Sequence, residues 1–131
     1  MGVIYPVTLW VIERACSEYP HLTARYGDEL AIAVNISATD LTHAGFEEKV
    51  TNIITRHNIQ AKDLILEITE TAMMTDPEAS RRMIHTLNRK GFRIAMDDFG
   101  TGHSSLGTLA SFELDELKID RSFLKDILDH P

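Results

Sequence analysis

The chain has 131 residues, 44% of them apolar, and a formal charge of −7 from 20 acidic and 13 basic side chains. That length suits one hydrophobic core, and the acidic balance argues against a nucleic-acid polymer as partner. No apolar run approaches the ~18 residues of a spanning helix, and the lone Cys16 can form no internal disulfide, so the chain reads as a cytoplasmic, unexported domain with Cys16 as a small buried apolar residue.

Pro6, followed by Leu9, Trp10, Ile12, Ala15 and Cys16, predicts an amphipathic opening helix with proline in its first turn. Leu30 to Ile36 is apolar except for Asn35, the pattern of a strand covered on both faces. Phe46, Val50, Ile53 and Ile54 recur at helical spacing and end on a polar Arg56-His57-Asn58 exit. Leu64 to Glu70 repeats the strand pattern with Glu67 set into it. Asp76-Pro77-Glu78 supplies a cap, a first-turn proline and an early acid for a helix whose face is Ala79, Met83, Ile84 and Leu87 and whose stop is Gly91.

Phe92 to Met96 is the next strand, and it delivers two adjacent carboxylates, Asp97 and Asp98, into a turn marked by Gly100 and Gly102. Leu106, Leu109 and Ala110 suit a short helix, Leu114 to Ile119 alternates as a fourth strand, and Phe123, Leu124, Ile127 and Leu128 begin another helix. Strands alternating with helices predict an α/β fold with a parallel sheet and right-handed crossovers. Four such strands leave two open edges, which invite pairing with another chain.

Asn35, Glu67, Asp97 and Lys118 fall toward the C-terminal ends of four successive strands, so parallel packing brings them to one rim. In parallel α/β folds that rim carries the chemistry. A carboxylate inside Leu64 to Ile68 needs a partner, because burying an unpaired charge costs several kcal/mol. Oxygen donors without nearby cysteine or clustered histidine suit magnesium or manganese better than zinc. Singly, each residue has a plainer role: Asn35 bonding nearby backbone, Glu67 paired with Lys118, Asp97 and Asp98 capping a helix, Lys118 exposed on an alternating strand. Four such coincidences on one rim are less economical than one site.

Asp98-Phe99-Gly100 copies the metal-binding triplet of protein kinases, but no Gly-rich phosphate loop or His-Arg-Asp loop precedes it. The segment Gly100 to Ser105 likewise lacks the lysine of a nucleotide P-loop. His21, His43, His57, His85, His103 and His130 are dispersed and read as solvated, with only His103 beside the acidic turn.

Asn35-Ile36-Ser37, Glu67-Ile68-Thr69-Glu70, Asp97-Asp98-Phe99-Gly100-Thr101-Gly102 and Lys118-Ile119-Asp120, in that order, closely resemble the EAL family of bacterial cyclic-di-GMP phosphodiesterases. The resemblance implies a partial TIM-like (β/α) barrel in which two magnesium or manganese ions serve hydrolysis of cyclic-di-GMP to linear pGpG. It implies that Asn35, Glu67 and Asp97 hold one metal, that Asp97 with Asp98 holds the other, and that Lys118 lies near the attacking water. Glu70 matches the acid that stabilises the loop after the aspartates.

The name-giving Glu-Ala-Leu strand and the later barrel strands have no counterpart in residues 1–131, and Met1-Gly2 reads as an expression start or a truncated reading frame. The expectation is therefore a partial EAL domain, inactive alone, that self-associates as a dimer through exposed half-barrel edges. The parent chain is expected to carry sensor or GGDEF domains and a possible membrane tether. A non-catalytic cyclic-di-GMP-binding or protein-interaction EAL module is the alternative.

Overall fold

The computed structural model describes residues 4–99, 112 and 114–119, and side chains over 7–97, 112, 114 and 115. The elements run α1 (Ile4–Tyr26), β1 (Ile32–Asn35), α2 (Ala38–Thr42), α3 (Phe46–Arg56), a 3₁₀ turn (Ala61–Asp63), β2 (Leu64–Thr69), α4 (Glu70–Thr75), α5 (Pro77–Arg89), β3 (Arg93–Phe99) and β4 (Glu116–Ile119). All four strands are parallel and lie in the order β1-β2-β3-β4, each beside its predecessor. That consecutive order is the winding of a barrel, here unclosed. The predicted helices around Leu106 and Phe123, like His103, fall outside the described residues.

The opening helix is longer than its apolar start suggests and passes through Pro20 to Tyr26. Thr8, Ile12, Cys16 and Tyr19 are its buried positions, spaced by three and four residues, so they form the stripe laid against the core. Trp10 does not join that stripe. It is 65% exposed, with Val7 and Val11 beside it on the helix, because one helix can press only one face onto the sheet.

Helix α5 shows how local sequence closes a βαβ unit. The Asp76 side chain accepts the Ala79 N–H at 3.2 Å and Pro77 takes the first helical position, where its missing N–H is no loss. At the other end Gly91 adopts φ +99°, its N–H reaches the Asn88 carbonyl at 3.0 Å, and the Phe92 N–H reaches the Leu87 carbonyl at 3.1 Å. This paired closure satisfies the last free carbonyls, and the buried Phe92 and Leu87 provide its apolar contact. Two residues after Gly91 the chain is already β3.

The core lies between the sheet and the helices, where Val34, Leu66, Ile68, Ile94 and Met96 meet Phe46, Val50, Ile84 and Leu87. Strands β1 and β2 are more deeply buried on this face and only partly covered on the other, which corrects the expectation of strands buried on both sides. Their burial alternates: Leu64, Leu66 and Ile68 are buried, whereas Ile65 and Glu67 are half-buried and Thr69 is exposed. The run of apolar letters conceals this period because Ala33 and Ile65 are apolar yet stand on the less covered face. Among the described residues, no helix is long and apolar enough to cross a membrane.

Candidate active site

Asn35 pairs with Glu67, Glu67 with Ala95, and Ala95 with Glu116, so these four positions form one row across the sheet. Partners in a row share a face, and so do residues two apart along a strand. Asp97, two residues beyond Ala95 and paired with Thr69, therefore lies on the same face one step nearer the rim. On β1 and β2 it is the less covered face, where Asn35 and Thr69 are exposed and Glu67 is half-buried; on β3 Ala95 is buried and Asp97 half-buried. With strands about 4.8 Å apart and ~3.3 Å of rise per residue, the α-carbons of Asn35 and Glu67 are about 5 Å apart and those of Glu67 and Asp97 about 8 Å. Side chains of this length are able to reach across such spans.

The pairing of β3 with β4 breaks at one place. Met96 pairs with Leu117 and Phe99 with Ile119, so two residues of β3, Asp97 and Asp98, stand opposite the single residue Lys118. In an unbroken strand consecutive side chains point to opposite faces. A two-against-one bulge relaxes that alternation and re-aims the chain, and such bulges gather beside active sites. The side chains of Asp98 and Lys118 lie outside the described ones, so their placement rests on backbone register. Glu116 occupies the Asn35–Glu67 row by the same register, a position not marked for the site from the sequence.

Glu70 is the first residue of α4 and only 1% exposed. It follows Thr69, whose hydroxyl caps α4 by accepting the Ala72 N–H at 3.1 Å. The loop that Glu70 was expected to hold, after Asp98, falls outside the described residues.

The turn that follows Asn35 is built around a buried carboxylate. Asp40 is 0% exposed, and its Oδ2 accepts the Ser37 N–H at 2.8 Å, the Ser37 hydroxyl at 2.9 Å and the Thr8 hydroxyl at 2.8 Å. Ser37 in return accepts the Asp40 N–H at 3.2 Å, a reciprocal capping box for α2. Just upstream, the Ile36 N–H donates to the Glu67 carbonyl at 2.9 Å. The Ser37-x-x-Asp40 pattern was readable in the sequence, but the pairing with Thr8, 32 residues away, was not.

Two carboxylates and a carboxamide on one water-facing surface form a hard-oxygen donor set, suited to magnesium-like cations and poor for zinc. Among the described residues no three His, Cys, Asp or Glu side chains gather as a ready-made cage. The donors fit such a cation as a partial set that includes an asparagine. Among the described residues no histidine joins this donor set: His21 and His85 are exposed, and His43 meets the Ala44 carbonyl at 2.9 Å. His57 departs from the solvated expectation, being half-buried with Nε2 2.7 Å from Glu13 Oε1. Cys16 is buried as expected, and burial, helped by the Glu13 charge, pushes its thiol up to about 11.

The EAL domain family model matches residues 1–131. The chain belongs to the EAL family. A relative is the bifunctional diguanylate cyclase/cyclic di-GMP phosphodiesterase MucR of Pseudomonas aeruginosa (strain PAO1), 39% identical over 126 residues, covering 96% of this chain and 18% of MucR. The structure of the MucR phosphodiesterase in complex with c-di-GMP superposes with a TM-score of 0.84 at 40% identity, over 99% of this chain and 52% of that one. The Klebsiella pneumoniae BlrP1 calcium/c-di-GMP complex gives 0.80 at 25% identity, over 94% of this chain and 31% of the other. The present EAL chain thus spans about half of the MucR phosphodiesterase structure and less of the full-length relative.

Proposed function

We propose that this chain is the catalytic-core portion of an EAL phosphodiesterase that hydrolyses cyclic-di-GMP to linear pGpG, with Mg²⁺ or Mn²⁺ as cofactor. The observation that carries this reading is the sheet face that holds Asn35, Glu67 and Asp97, with the backbone of Asp98 opposite that of Lys118 at the register break. The likeness to MucR, whose phosphodiesterase binds c-di-GMP, and to BlrP1, which binds calcium beside the same ligand, supports both substrate and hard cation.

Asn35, Glu67, Asp97 and Asp98 would hold the cations. When bound, two such ions screen charge and stabilise both the attacking and the leaving oxygen of an in-line displacement. The chain's own residues supply the rest. An acidic rim repels a dianionic dinucleotide by itself, so cation loading and substrate binding are coupled through these carboxylates. Lys118 offers an ammonium that orients the nucleophile and offsets charge developing on the phosphate. Glu70, buried at the start of α4, would serve as the acid that stabilises the loop after Asp98. Edges β1 and β4 have one strand partner each among the described residues, and pairing with a second copy of the chain would satisfy them.

The test is hydrolysis of cyclic-di-GMP with added Mg²⁺ or Mn²⁺, followed by chromatography for pGpG. It compares this chain with a version extended to the full length of the MucR phosphodiesterase domain and with Asp97→Ala in that version. Cleavage by the extended protein, its loss in Asp97→Ala and inactivity of the 131-residue chain are expected. Binding of cyclic-di-GMP by the extended protein without any cleavage would make it a binding module instead.

A further inference from the structure

We infer that the Thr8–Asp40–Ser37 cluster is a positioning device for Asn35, through which helix α1 sets the cation affinity of the rim. The inference rests on the reading of Asn35 as a cation ligand. Asn35 is the last residue of β1, and the backbone on its far side is held at two points. Ile36 is tied by its N–H to Glu67, the next donor along the row, at 2.9 Å. Ser37 is tied by its N–H and its hydroxyl to Asp40 Oδ2 at 2.8 and 2.9 Å.

A capping box alone would fix only the start of α2, a helix of five residues with little rigidity of its own. The Thr8 hydroxyl changes that. Its bond to the same Oδ2, 2.8 Å long and buried, fastens the turn to a 23-residue helix whose Ile12 and Cys16 are fully buried in the core. Bonds to an ionised acceptor in a low-dielectric setting are stronger than neutral ones. All three donors converge on one oxygen, while Asp40 Oδ1 has no hydrogen-bond partner among the described residues. Losing the Thr8 donor therefore falls on the atom that also holds Ser37, two residues from the donor side chain. A ligand released by a few tenths of an ångström binds its cation less well, because the lost order must be regained on binding.

The experiment uses the chain as it stands, with Mn²⁺ alone as probe, titrated by the loss of its free-ion paramagnetic resonance signal. Thr8→Val keeps the volume and removes the hydroxyl; Thr8→Ser restores it; Asn35→Ala removes the ligand. Circular dichroism fixes a temperature at which each variant is folded, and Ser37→Ala, which breaks the other side of the cluster, stands in if Thr8→Val is not. The expected result is a fall in Mn²⁺ affinity of about 3- to 10-fold in Thr8→Val, recovery in Thr8→Ser, and a larger fall in Asn35→Ala. Wild-type affinity in Thr8→Val alongside weakened binding in Asn35→Ala would overturn the positioning role and leave the site reading intact. Unchanged binding in Asn35→Ala, or no Mn²⁺ uptake by the wild-type chain, would overturn the site reading and the inference with it.

Discussion

Replacing Glu13 by Gln should loosen the joint between α1 and α3 in a pH-dependent way. The Glu13 carboxylate reaches from α1 to the end of α3, accepting from Arg56 Nη2 at 2.7 Å and meeting His57 Nε2 at 2.7 Å. Arg56 is 62% exposed, so its pair contributes about 0.5 kcal/mol or less. The His57 bond is better sheltered, at 25% exposure, and contributes on the order of 1 kcal/mol. Glutamine keeps an acceptor but loses the charge, so a loss of about 1 kcal/mol is expected at neutral pH. The hydrogen bond from His57, aided by the charges of Arg56 and His57 and opposed by partial burial, holds the Glu13 carboxyl below the usual glutamate range. A depressed folded-state pKa means that the contribution is complete above the unfolded value, roughly pH 4.3, and is lost as pH falls through the folded value. Urea unfolding at pH 7 should therefore shift its midpoint down by about 0.6 M in Glu13→Gln, taking a slope near 1.7 kcal/mol per M. The difference should shrink progressively as pH is lowered below the unfolded value and the carboxyl protonates. An equal midpoint at pH 7, or a difference that grows on acidification, would refute the assignment.

Gly91→Ala should lose about 1 to 2 kcal/mol, because φ of +99° is strained for any side chain and the new Cβ would sit 3.3 Å from Ala61 Cβ; chemical denaturation measures it. Cys16 should react with an aromatic disulfide reagent at pH 8 at least roughly 200-fold more slowly in the native protein than in denaturant, since its raised pKa suppresses the thiolate and burial blocks approach. Fast native labelling would show α1 opening from the core.

The strands and the longer helices were legible because each obeys a local rule. Asp76-Pro77 and Gly91 mark the two ends of α5 by capping chemistry alone, and Phe46, Val50, Ile53 and Ile54 mark the buried face of α3. The short helices α2 and α4 escaped notice because five and six residues carry too little periodicity to stand out. Trp10 was grouped with Ile12 and Cys16 on the apolar side of the opening helix for a related reason: α1 has apolar residues on two sides, and local pattern cannot say which side meets the sheet. The row of Asn35 and Glu67 with Asp97 one step beyond was legible in outline, since parallel strands of similar length must bring their ends together.

What the sequence by itself determined is the alternation of elements, the parallel sheet and the family motifs, all set by short-range propensities and by residue identity at given spacings. Tertiary structure alone decided which strand face stays less covered, because that depends on where crossover helices pack rather than on the strands' own letters. It alone decided the two-against-one register at Asp97, Asp98 and Lys118, which arises from pairing between strands. It also joined Thr8 to Asp40 across 32 residues, a contact no local rule encodes because it exists only once α1 has folded back onto the turn after β1.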